Sequence, residues 1–96
     1  MNYAPKIVLQ LPISNPELLD SFVEDCLRDG VSPIAVVGDG ATQIEDIIDE
    51  LIVGDGSDRS RFITTSSHQN ETLDEVLAFA RLYDQDLSQA VQLVKL

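Results

Sequence analysis

The stretch PIAVVGDGATQIEDIIDELI, residues 33–52, decides the fold. Its first five residues are an uninterrupted apolar run of the kind that forms a strand buried on both faces. Gly38-Asp39-Gly40 breaks the run, and Thr42 with Glu45 three residues later has the spacing of a capping box. Ile44, Ile47, Ile48, Leu51 and Ile52 then recur at helical spacing, so a strand passes directly into an amphipathic helix.

The same unit lies on either side. Upstream, Lys6–Leu11 reads as a strand with apolar residues on both faces, which places it centrally in a sheet. Asn15 and Pro16 supply a helix start, Leu19, Phe22, Val23 and Cys26 form the buried stripe, and Gly30 ends the helix in a left-handed conformation. Downstream, Gly54–Ser60 is a polar turn region and Arg61–Ser66 reads as a third strand beginning with Phe62 and Ile63. Thr72 with Glu75 repeats the capping box, and Leu73, Val76, Leu77, Ala80 and Tyr83 make a third apolar face. Ala90–Leu96 closes the chain as a fourth strand, with Gln92 and Lys95 marking an edge.

Helical crossovers between successive strands are what a parallel sheet requires. The expectation is one α/β domain over residues 1–96, β-α-β-α-β-α-β, with a four-stranded mainly parallel sheet in two or three layers. Right-handed crossovers allow the orders 2-1-3-4 and 1-2-3-4. The first is preferred because the first strand reads as buried on both sides; it puts the first helix on one face and the other two opposite. One face would then be thinly covered, and a second copy of the chain is one expected cover.

Charge narrows the partners. Seventeen Asp and Glu against six Lys and Arg give a formal net charge of −11. Nucleic acid is bound through phosphate neutralisation by clustered Lys and Arg, which this chain lacks, so that class is excluded. Anionic membrane surfaces are disfavoured on the same ground, whereas a basic protein partner or a cationic ligand would be steered in. Residues 1–6 carry no basic leader pattern, and Gln10 and Pro12 interrupt the apolar segment that follows. With a single cysteine, Cys26, placed in a core stripe, the expectation is a cytoplasmic protein without disulfides.

In open parallel sheets ligands bind beyond the carboxyl ends of the strands, where the strand order reverses. For the order 2-1-3-4 that crevice falls between the first and third strands. The residues expected around it are Ser14 and Asn15, Gly38, Asp39 and Gly40, and Thr65, Ser66, Ser67 and His68.

Gly38-Asp39-Gly40-Ala41-Thr42 resembles the opening of a glycine-rich phosphate loop. It lacks the third glycine of a dinucleotide fingerprint and the Gly-Lys-Ser/Thr of a nucleotide-triphosphate loop, so a tight turn is the simpler reading and no cofactor is expected. Thr65-Ser66-Ser67-His68 gathers hydroxyls and the chain's one imidazole. Nucleophilic chemistry there would need His68 against a hydroxyl and a third group such as Asp39. Glu45, Asp46, Asp49 and Glu50 read as the solvated face of the second helix, and Asp55, Ser57 and Asp58 lack the full ligand pattern of a calcium loop.

The alternating plan is shared with receiver domains. Here the first strand ends in Leu11-Pro12-Ile13 and the third in hydroxyl residues, so the acidic chemistry of that family is absent. The Arg61-Phe62-Ile63-Thr64-Thr65 strand, His68, the helix with Leu73, Val76, Phe79 and Ala80, and the aliphatic last strand resemble small uncharacterised bacterial α/β proteins. That resemblance covers the last third of the chain and implies fold alone. The functional expectation is a small acidic, non-enzymatic binding or interaction domain, with ligand binding or catalysis at the strand-end crevice as the alternative.

Overall fold

A computed structural model describes residues 3–85 and 89–96. Four parallel strands, β1 (Lys6–Gln10), β2 (Ile34–Val37), β3 (Thr65–His68) and β4 (Val91–Val94), form one sheet in the order β3-β2-β1-β4. Between them run α1 (Leu19–Asp29, entered through a short 3-10 turn at Pro16–Leu18), α2 (Ala41–Val53) and α3 (Leu73–Leu82).

The α/β plan and the central place of the first strand are as the sequence predicts. The strand order differs from the preferred 2-1-3-4: β4, not β3, lies beside β1. The cause is a shift in the third strand. Residues 61–64 do not pair as the sequence suggested; the ladder begins at Thr65 against Ile34 and ends at His68 against Val37. Arg61 holds the preceding segment elsewhere, donating to the carbonyls of Ile52 at 2.8 Å and Leu51 at 2.9 Å and to both carboxylate oxygens of Glu24. What remains for the strand is Thr-Ser-Ser-His, too polar for the middle of a sheet, and it takes an edge.

Two successive crossovers in one direction put α1 and α2 on the same face, and the return from β3 to β4 puts α3 on the other, as right-handed connections demand. The first helix therefore shares its face with the second, not standing alone as expected. Alternating residues separate the cores accordingly. Ile7, Leu9, Ile34 and Val36 pack with Leu19, Phe22, Val23 and Cys26 of α1 and Ile48 and Ile52 of α2. Val8, Ala35 and Val37 pack with Val76 and Ala80 of α3.

Local signals mostly act as read. Gly30 closes α1 with φ +72°, and its N–H bonds the carbonyls of Cys26 and Leu27. Thr72 and Glu75 form the full capping box of α3. Thr42 and Glu45 do not: α2 starts from Gly40 without a side-chain cap, because Thr42 Oγ1 is turned to Ser67 Oγ at 3.4 Å and Glu45 to Thr65. Asn15 likewise stands at the cap position of the 3-10 turn without capping it.

Lys6 is an unanticipated core residue. It is fully buried on the α3 side of β1, and its Nζ donates to the carbonyls of Arg81 at 3.1 Å and Tyr83 at 2.7 Å, at the carboxyl end of α3. A cation there meets the negative end of the helix. No helix among the described residues is long and apolar enough to cross a membrane.

Candidate functional site

The loops that leave β1 and β2 both turn toward the α1/α2 face and pass close to each other at Leu11 and Gly38. Gly38 sets the second turn: its φ is +121°, and a Cβ there would lie 3.1 Å from the Cβ of Leu11. Only glycine lets the two loops pass so closely. Ala41 N–H then bonds Gly38 O at 3.1 Å and starts α2.

Between these loops, the entry to α1 and one face of α2 lies a cleft of about 620 Å³. Leu11, Pro12 and Ile13 line it from the β1 loop, Pro16 and Leu19 from the entry to α1, and Ile44, Ile47 and Leu51 from α2. Ile47 remains 43% exposed although it belongs to the apolar stripe of α2. Asp20, Asp39, Gly40 and Gln43 complete the lining, which holds neither Lys nor Arg.

The residues expected around one crevice are divided among four places. Gly38, Asp39 and Gly40 lie at the strand-end turn, with Asp39 and Gly40 in the cleft lining. With the order β3-β2-β1-β4 the strand order reverses between β1 and β4, not between β1 and β3. Ser14 and Asn15 are at that reversal, and their backbone N–H groups bond Leu96 O at 3.2 Å, joined by Asn15 Nδ2 at 3.3 Å.

Thr65, Ser66, Ser67 and His68 are the strand β3 itself, not a loop after it, so alternate side chains go to opposite faces. Thr65 Oγ1 lies 2.9 Å from Glu45 Oε2 and 2.5 Å from Asp49 Oδ1, so two carboxylates share one hydroxyl proton. These two were expected on a solvated face; they are half-buried against β3, while Asp46 and Glu50 are exposed. On the other face Ser66 Oγ lies 2.8 Å from His68 Nε2, and His68 Nδ1 lies 2.8 Å from Glu71 Oε1. The third group beside the imidazole is therefore Glu71; Asp39 belongs to the cleft.

Other candidates are quiet. Cys26 is fully buried, and desolvation, reinforced by Asp29 and Asp25, pushes its thiol up to about 12. Asp55 and Asp58 each accept from the backbone and hydroxyl of the serine two residues on, at 2.6–2.9 Å, which are local turns. Their carboxyls are held below the usual range first by those serine hydroxyls. Among the described residues no three His, Cys, Asp or Glu side chains converge for a metal ion.

Sequence reasoning missed the cleft walls because Ile44, Ile47 and Leu51 read as core. The available signal was excess: the stripe of α2 carries five large apolar residues, of which Ile48 and Ile52 are the buried ones.

A family model described as a domain of unknown function, DUF7684, matches residues 7–96. The chain belongs to the DUF7684 family. The match takes in every strand after the first residue of β1 and all three helices, so the cleft and the β3 cluster both lie within the DUF7684 domain. Among curated proteins and among solved structures, none matches the chain.

Proposed function

We propose that this DUF7684 domain is a binding domain whose cleft, without catalysing a reaction itself, receives an amphipathic cation, an aliphatic body ending in an ammonium or guanidinium group. The observation that carries this reading is the cleft's composition: apolar walls, two carboxylates at the mouth and no basic residue. Its volume of about 620 Å³ falls in the range of small-molecule sites, roughly 300–1,000 Å³.

Helix polarity opposes a cation, so the balance needs weighing. The N-terminal ends of α1 and α2 each contribute about +0.5 of a charge, whereas Asp20 and Asp39 contribute a full negative charge each, leaving about −1 at the mouth. The carboxylates win. One net charge about 4 Å from a ligand head group in water is worth about 1 kcal/mol, attractive for a cation and repulsive for an anion. The difference of about 2 kcal/mol corresponds to about thirtyfold in affinity. Each methylene buried along the walls adds about 0.8 kcal/mol, roughly fourfold.

The source of the cation belongs to the same proposal. A net charge of −11, with Asp46 and Glu50 exposed on α2, favours a basic protein partner that seats an aliphatic side chain in the cleft. Self-association has less support, since two copies bring like charge together.

The test is calorimetric titration with decylammonium and with decanoate, both below their micelle concentrations. Saturable binding of the cation, about thirtyfold tighter than the anion, is the expected result. Asp39→Asn brings the mouth close to neutral and should remove most of that discrimination while leaving the chain-length dependence. Equal affinity for the two head groups would overturn the charge argument, and absence of saturable binding by either would overturn the site.

A further inference from the structure

The α3 face of β3 carries a second arrangement that the cleft does not use. Ser66 and His68 stand two residues apart on an edge strand, on the side where Ala35 and Val37 of β2 are packed under α3. A polar pair is costly on such a face unless every polar atom finds a partner. Here each does, in a directed chain from Ser66 Oγ to His68 Nε2 at 2.8 Å and from Nδ1 to Glu71 Oε1 at 2.8 Å.

The direction follows from the chemistry of the groups. An ionised carboxylate only accepts, so Nδ1 carries the imidazole proton and donates it to Glu71. Nε2 of the neutral ring then presents its lone pair, and the Ser66 hydroxyl donates to it. That tautomer, assigned from the network, is the one a general base requires. The ring is also fixed in place. His68 is 7% exposed, and the Phe79 ring lies against it with centroids 4.7 Å apart. Glu71 directly precedes the capping box that anchors the start of α3.

The amide that follows the hydroxyl residue is left over by the ladder. Ile34 N–H bonds Thr64 O at 2.9 Å and Gly38 N–H bonds His68 O at 3.4 Å. In a parallel ladder with that phase, Ser66 and His68 use their backbone groups toward β2, and the N–H of Ser67 points out from the free edge of β3. The amide after a nucleophile is a recurrent oxyanion donor.

We propose that Ser66 is a nucleophile activated by His68, with Glu71 as the positioning residue, and that this edge carries acyl transfer from small activated esters to water. Ser66 Oγ bonds to the acyl carbon as its proton passes to His68 Nε2. The bond from that carbon to the leaving oxygen then breaks, and the leaving oxygen takes the proton. Water attacks the acyl-serine in the same way, giving its proton to Nε2, and the carboxylic acid departs as Ser66 Oγ regains a proton. No oxidant, metal or cofactor enters the balance.

The experiment is labelling of the folded protein with a fluorophosphonate, read by intact mass and peptide mapping, alongside 4-nitrophenyl acetate hydrolysis. One adduct per chain on Ser66 is expected, absent from Ser66→Ala and retained by Ser67→Ala. His68→Gln should slow labelling by about a hundredfold or more, the range of a positioned general base. Glu71→Gln should slow it less and shift the midpoint of its pH profile, which a merely structural glutamate would not do. Absence of an adduct on wild-type protein of unchanged circular dichroism overturns the proposal without recourse to any variant. So does labelling of another serine in preference, or a Ser66 rate that His68→Gln leaves unchanged in a folded variant.

Discussion

Replacing Lys6 by Met separates the packing of its side chain from the work of its amine. The two residues have similar length, and the buried aliphatic stem of Lys6 can be traced closely by methionine. What is lost is the ammonium that donates to Arg81 O at 3.1 Å and Tyr83 O at 2.7 Å. Hydrogen bonds from a charged donor contribute about 1.5–3 kcal/mol each, and the acceptors stay behind at the end of α3. Relief from burying the ammonium offsets part of this, since charge is costly in a core. The expected net loss is about 2–4 kcal/mol. For a domain of this size each kcal/mol moves the thermal midpoint by about 4–8 °C, so a fall of about 8–32 °C is expected in calorimetry. Amide exchange should localise the effect, with the last turn of α3 losing protection before α1. An unchanged or raised midpoint would refute the reasoning, because it would mean that the helix end is satisfied without the amine.

Gly38→Ala should cost about 2 kcal/mol or more, since φ of +121° is closed to alanine and the added Cβ would press on Leu11; chemical denaturation checks it. Thr72→Ala should cost about 1 kcal/mol and Thr42→Ala clearly less, because the observed capping box is at Thr72. The same box has a pH signature. Glu75 is held below the usual carboxyl range, first by the Thr72 backbone N–H, so its contribution is present above the unfolded titration and lost as pH falls through the lowered folded value; the Glu75→Gln deficit should shrink in acid. Cys26, raised to about 12, should resist alkylation at pH 8 in the folded protein and react on unfolding. Its linkage has the opposite sign: stability is full below pH 9 and declines toward about 12 as the unfolded thiol ionises and the buried one does not.

The α/β plan was legible because its signals are local and redundant. Gly30, the Thr72 and Glu75 box and the buried stripe of α1 act in the structure as their spacing predicts, and α2 and α3 form where their stripes placed them. The third strand was not legible. Arg61-Phe62-Ile63-Thr64 has better strand composition than Thr65-Ser66-Ser67-His68, but Arg61 is drawn to the end of α2 and to Glu24, and Phe62 is left 74% exposed. That tertiary tie moved the ladder, and the strand order followed from it. The site was partly legible. Strand-end geometry pointed to Gly38, Asp39 and Gly40, whereas the apolar walls were indistinguishable from core until the fold showed which of them line the cleft. His68 and Ser66 were singled out by chemistry, but Glu71 is one acidic residue among many in the sequence and only the fold brings it to the imidazole.

Methyl-resolved NMR during titration with decylammonium tests the central claim most directly. Saturable shifts are expected at Ile13, Ile44, Ile47 and Leu51 along the cleft, with Leu82 and Leu93 on the other side of the molecule unmoved. Shifts centred on Leu82 and Leu93, or spread evenly over exposed methyls without saturation, would contradict it.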